Sequence, residues 1–340
     1  MSTHLEKNRK PGVHYALAPH GPDELELPVI DVTHPAFALA LTEEEIAARV
    51  ASSLAEQRSF DELPPQALRL LRESILGRGI AGSAGRFLSG LSTYLLKVGP
   101  DNLGDAYATP IDRRIAASAQ ALSVRLRLQD MATLLAEALA PCLAAAAGRP
   151  LRFVNIAGGP AMDSLNALIL LRRDHPQALA GRRVWIDVLD QDADGPAFGA
   201  RALAALTAPG GPLAAIDAQL LPIRSNWSDT GPLRHLLREL RTVGAVAVGS
   251  SEGGLFEYGS DADIAANLDC LRDEAPDHFV MTGSVTRDDE TSRRLRRGSS
   301  HAIRPRGLEV FRALAARGGW RIARAVPRPL SDQVALVRAP

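Results

Sequence analysis

The chain has 340 residues, of which 46 % are apolar and 23 % charged. That is core material for two domains, or for one large domain with an extension, and it excludes a disordered chain, a collagen-like repeat and a coiled-coil rod. Basic and acidic residues number 39 each, so no net field draws the protein to nucleic acid or anionic lipid. Only Lys7, Lys10 and Lys97 are lysine; with heavy use of Ala, Gly and Pro, the arginine excess reads as GC-rich bacterial coding background. Residues 1–30 read as a polar arm rich in Pro, Gly and His, without the apolar run of a signal peptide. No stretch is long and apolar enough to span a bilayer. Cys142 and Cys270 lack CxxC spacing, so two free thiols in a reducing cytoplasm are expected.

Residues 41–148 read as helical. Thr42 and Glu45 form a capping box ahead of "IAARVASSL". "PPQALRLLRESILGRG" carries apolar residues at helical spacing. "GRFLSGLSTYLLKVGPDN" reads as a short amphipathic helix stopped at Gly99 and Pro100. Thr109 as cap and Pro110 at the first helical position open the stretch that ends at Gly148. From residue 150 short apolar runs alternate with helical stretches, the pattern of βα units on a parallel sheet. Strands are predicted at 151–157, 182–190, 218–224, 244–250, 278–285, 320–327 and 333–339, with helices at 160–174, 193–207, 231–241, 260–274 and 306–317. The last two strands are joined by "RPLSD" and must pair antiparallel at a sheet edge.

Five βα units followed by a hairpin is an order that resembles the class I S-adenosylmethionine (SAM) dependent methyltransferases. The resemblance covers residues 150 to 340. It implies a Rossmann-like α/β sheet in the order 3-2-1-4-5-7-6 with strand 7 antiparallel, a SAM-binding domain at 149–340, and an arm and helical cap at 1–148. The first strand ends in "NIAGGPAMDS", where Asn155, Ala157, Gly159 and Ala161 occupy the positions of an acid followed by alternate glycines. Gly158, Gly159 and the helix start around Pro160 and Asp163 let backbone N–H groups approach a ligand closely. The dinucleotide fingerprint fits worse, because Met162 stands where its third glycine belongs.

The second strand ends in "DVLDQDADG". There Asp190, with Gln191 beside it, is the candidate for the ribose hydroxyls, Asp192 is its reserve, and Asp187 belongs inside the strand. Asn226 and Trp227 after the third strand are candidates for the adenine. Ser250, Ser251 and Glu252 end the fourth strand facing the crevice, with Glu252 as a general base or substrate anchor. In the cap, Tyr94 is expected to set its ring against the sulfonium, with Ser92 and Lys97 on the same helix; a core role for Tyr94 stays open. The arginine-dense 287–306 segment is read as a solvated loop or a substrate lid carrying His301, and His34 is a weaker candidate. No metal-ligand spacing is present.

These features imply a SAM-dependent enzyme methylating a small molecule, with no nucleic-acid or membrane partner. Two alternatives stay open. One is intramolecular cyclisation of SAM, as in the azetidine-2-carboxylate synthases of the same superfamily, because Asn155 in place of the usual acid would favour the free amine. The other is a non-catalytic partner protein on the same fold.

Overall fold

The computed structural model describes residues 9–20, 23–56, 64–83, 85–297 and 301–340. β1 (Tyr15–His20) and β2 (Asp23–Pro28) pair antiparallel. The cap follows as α1 (Glu43–Glu56), α2 (Pro65–Glu73), α3 (Ile75–Gly82), α4 (Gly90–Val98) and α5 (Pro110–Ala116), and leads into α6 (Ala119–Ala145). Then come β3 (Leu151–Ile156), α7 (Met162–Asp174), α8 (Pro176–Leu179), β4 (Val184–Asp190), α9 (Asp194–Thr207), β5 (Ala218–Arg224) and α10 (Gly231–Val243). β6 (Val246–Ser251), α11 (Leu255–Tyr258), α12 (Asp261–Glu274), β7 (Val280–Thr286), α13 (Glu290–Arg296), α14 (Gly307–Arg317), β8 (Trp320–Pro327) and β9 (Ser331–Arg338) complete the chain.

The larger sheet has the order β5-β4-β3-β6-β7-β9-β8. Counted within that sheet this is 3-2-1-4-5-7-6, with β9 antiparallel to both its neighbours, as expected. β3 and β6 are buried at every position and are apolar at most of them. Their side chains divide between two cores. Leu151, Phe153, Val246 and Val248 face the layer of α6, α7 and α9. Val154, Ile156, Ala245 and Ala247 face α10, α12 and α14. Asp187 lies inside β4, as predicted, and is held by Arg152 through two contacts of 2.8 Å. The Thr42–Glu45 and Thr109–Asp112 capping boxes both form.

Two regions differ from the sequence reading. The arm is a β-hairpin: Ala16, Ala18 and Leu27 alternate along it and are buried in the core that contains Phe198 of α9. The 287–306 segment is partly helical, because Asp289 caps α13 and Leu295 is buried beside Val50 and Ala119.

The hairpin is fastened where it enters the cap. The buried Tyr94 hydroxyl donates to the Pro28 carbonyl and accepts from Ile30 N at 3.2 Å. Asn166 of α7 donates to the Ile30 carbonyl at 3.0 Å and accepts from Val32 N at 2.8 Å. Tyr94→Phe leaves two buried backbone groups unpaired and should cost about 1–3 kcal/mol. Tyr94→Ala adds a cavity and should cost about 3–5 kcal/mol. Urea unfolding checks both values; no loss in Tyr94→Phe would show that the hydroxyl holds nothing.

Candidate functional site

The chain leaves β3 toward β4 and β5, then returns to β6 on the other side. The carboxyl ends of β3 and β6 therefore diverge, and such a switch point opens a crevice. A cavity of about 560 Å³ lies there, between the sheet and helices α3 and α4. Its floor is Ala157, Gly158, Gly159 and Pro160; Asp190, Gln191 and Asp192 stand on one side, Glu252, Gly253 and Gly254 on the other.

The floor is a strained turn. Ala157, Gly159 and Ala161 have φ of 55°, 51° and 52°, so all three alternate positions are left-handed and two hold alanine. The Asp190 carboxylate fixes this turn, accepting from Gly159 N at 2.8 Å and from Asp192 N at 2.9 Å. Burial raises its pKa, and the backbone donors only partly oppose that. A carboxylate offers about four lone-pair sites, so acceptor capacity remains. From above, α4 begins on Ser89, and Gly90 rests on Gly159: a Cβ at Gly90 would stand 2.9 Å from the Gly159 Cα. A Cβ at Gly195 of α9 would meet the same atom at 2.9 Å.

At the β6 end, Glu252 meets Lys97 through one oxygen and Arg127 Nε through the other, the latter at 2.7 Å. Arg127 continues to Glu257 at 2.9 Å, and Thr286 donates to Glu257 at 3.1 Å. All four charged groups are buried. Burial pushes the Glu252 carboxyl up, but the Lys97 and Arg127 charges pull it below the ordinary glutamate value. Glu252 is therefore held ionised: it can bind a cation but is a poor proton acceptor, which corrects its expected role as general base. Arg127 and Glu257 escaped the sequence reading; an arginine inside the apolar run "ALSVRLRLQDMATLL" was the available signal.

The cavity brings together Ala157, Gly158, Gly159, Asp190, Gln191, Trp227 and Glu252. It does not include Tyr94, whose ring packs edge-on against Phe198 at 4.6 Å, so the core reading of this residue prevails over the sulfonium contact. Asn155 is also off the wall: it lies behind Gly158, where a Cβ would come within 2.6 Å of the Asn155 Cβ, and its Oδ1 accepts from the Ser164 hydroxyl. Asn226 is exposed and caps its own turn through Ser228 N. Ser250 donates to Asp163, and Ser251 accepts from Leu255 N, so these three buried side chains brace strand ends and helix starts instead of lining the cavity. His301 bonds Ser83 at 2.9 Å and His34 accepts from Ala36 N, both outside the cavity. Phe87, which the sequence reading passed over, packs 5.1 Å from both Trp227 and Tyr258 at the cavity wall. Among the described residues no group of His, Cys, Asp and Glu is disposed to hold a metal ion, and no helix is long and apolar enough to cross a membrane.

No protein-family model and no curated protein matches the chain. Among solved structures, a possible exported protein from Bordetella parapertussis aligns with 88 % of this chain and 100 % of its own, with a TM-score of 0.56 and 18 % identity. LepI in complex with SAM aligns over 90 % and 95 % of the two chains, with a TM-score of 0.43 and 14 % identity. The mitomycin 7-O-methyltransferase MmcR aligns over 88 % and 74 %, with a TM-score of 0.38 and 17 % identity. The first likeness is one of fold, and the other two are too loose to bear on the site. Strand order, the antiparallel seventh strand and the crevice together give this chain a Rossmann-like α/β fold, in the strand order that its resemblance to the class I SAM-dependent methyltransferases implies.

Gly90→Ala must push the α4 and floor backbones apart and should destabilise the protein by about 1–3 kcal/mol in urea unfolding. A neutral effect would show that α4 does not bear on the floor. Asp163 gives a pH signature. Burial, and next the Glu252 charge, raise its pKa to about 6. The folded value lies above the unfolded one, so stability falls as pH rises from about 4 to 6, by up to about 3 kcal/mol. Asp163→Asn should lack this fall and gain on the wild type from pH 4 to pH 7; a constant difference would contradict the shift.

Proposed function

We propose that the chain binds SAM in this cavity and transfers its methyl group to a small-molecule acceptor enclosed by the helical cap. The observation that carries the reading is the Asp190 carboxylate locked onto the Gly159 turn at the switch point of a methyltransferase fold. The fit is supported by the glycine-lined floor, where backbone approaches backbone, and by a volume within the range of ligand pockets. When bound, SAM supplies an electrophilic methyl carbon on its sulfonium.

The residues present suit that ligand end by end. Asp190, with spare acceptor capacity, takes the ribose hydroxyls beside Gln191. Trp227 and Phe87 flank the adenine side. The Lys97–Glu252 pair presents a cation and an anion side by side in the wall, which complements the carboxylate and ammonium of an amino-acid end. Both oxygens of Glu252 are held by cations, so the chain offers orientation and exclusion of water in place of a strong base. Asn155 does not line the cavity, so the main ground for the cyclising alternative is weakened.

Three measurements test this. Asp190→Ala should weaken S-adenosylhomocysteine binding at least about tenfold by calorimetry, from two charge-assisted hydrogen bonds; unchanged affinity rejects the assignment. Lys97→Met and Glu252→Gln should weaken S-adenosylhomocysteine while sparing 5′-methylthioadenosine, which has no amino-acid end; equal losses on both ligands would place the pair elsewhere. Mass spectrometry after incubation with SAM alone should show no methylthioadenosine, with S-adenosylhomocysteine appearing only when an acceptor is added. Release of methylthioadenosine would establish cyclisation, and no binding of SAM at all would leave a non-catalytic protein.

A further inference from the structure

Arg127 stands behind Glu252 and Gly253 and does not itself line the cavity. Its guanidinium spans two buried carboxylates, with Nε on Glu252 at 2.7 Å and Nη1 on Glu257 at 2.9 Å. The chain makes room for it at Gly253, where φ is 73° and a Cβ would stand 2.6 Å from Nη2. Glu257 is fixed in turn by the Thr286 hydroxyl at 3.1 Å. Lys97 is held differently. It lines the cavity, and among the described residues Glu252 is its one ion-pair partner. A lysine ammonium rides on a flexible stem, whereas a guanidinium is fixed by its planar fork of donors.

Two cations and two carboxylates balance, so the cluster is neutral when empty and stays neutral when a zwitterion joins it. If the carboxylate of that zwitterion draws Lys97 away, Arg127 is the cation that keeps Glu252 from standing as a lone buried charge. We propose that Arg127 is the positioning residue of the site: it holds Glu252 in the cavity wall as counter-charge for a ligand ammonium, and so frees Lys97 to meet the ligand carboxylate. This inference rests on the SAM reading of the cavity.

The charged groups around Glu252 are Lys97 of α4, Arg127 of α6 and Asp163 of α7, with Glu257 of α11 beyond Arg127. Asp163 has its pKa raised to about 6, so the test is run in the Asp163→Asn chain, where that carboxyl is gone. Calorimetry compares S-adenosylhomocysteine with its deaminated thiobutyrate analogue, which lacks only the ammonium. In the Asp163→Asn chain the advantage of S-adenosylhomocysteine should be the same at pH 7 and pH 5, because Glu252 stays charged. Adding Arg127→Met and Glu257→Gln removes the pair with the net charge kept. It should cut that advantage at least about tenfold, and the remainder should fade further by pH 5. Adding Arg127→Lys alone keeps a cation beside Glu252 and should leave the advantage independent of pH. A structural role alone would weaken both ligands equally, and that result overturns the proposal. Where the Arg127 variants do not fold, the Asp163→Asn chain decides: an advantage that fades toward pH 5 there overturns the proposal as well. Binding of neither S-adenosylhomocysteine nor 5′-methylthioadenosine would instead fail the SAM reading itself, and this inference with it.

Discussion

A carboxylate buried at the carboxyl end of β6 stays charged only if cations come to it, and in this protein they come from two directions. Lys97 arrives from the cap helix α4 and Arg127 from α6, which packs on the sheet. Arg127 then reaches Glu257 of α11, and Thr286 at the end of β7 completes the chain. Removing one partner from such a buried network costs about 3–5 kcal/mol, because a charge is left uncompensated. A well-packed apolar replacement of the whole set can be neutral, so the network's distinctive product is geometry. It fixes the cap against the strand ends, and it sets two opposite charges in the cavity wall at one register.

The other fastenings serve the same register. Tyr94 and Asn166 stitch residues 28 to 32 to α4 and α7, and the β1–β2 hairpin closes over Phe198. Residues before and after 148 therefore share one apolar core. α6 carries this continuity, since Leu128, Leu135 and Leu139 lie in the same cluster as Phe153 of β3 and Leu95 of α4.

The fold was legible because its strongest signals are local and periodic. Strands buried on both faces are mostly apolar, and β3 and β6 carry apolar residues at most positions with Arg152, Asn155, Ser250 and Ser251 as partnered exceptions. A short link between the last two strands leaves only a hairpin. The hairpin at 15–28 was missed although "DELELP" alternates as an edge strand should, because Pro, Gly and His dominated the composition around it. The site was half legible. Asp190, Gln191, Trp227 and the glycines follow from strand ends, whose position the βα order fixes. Tyr94 does not follow: one-dimensional spacing places it on α4 but cannot say whether its ring meets a ligand or Phe198. Asn155 fails differently. It occupies the expected position on β3, yet the turn at Gly158 folds over it. Arg127 was invisible because its partners lie 125 and 130 residues away along the chain.

The meeting of Gly90, Gly159 and Gly195 has its own consequence. Three residues without side chains touch backbone to backbone, so the joint buries very little apolar surface. Opening it wets almost nothing hydrophobic, and no rotamer has to be freed or trapped. α4 is attached by Leu91, buried beside the joint, and further along by Tyr94, Leu95 and Lys97. The glycine joint itself can therefore part without exposing an apolar side chain of its own, and what holds the start of α4 down is the burial of Leu91 next to it.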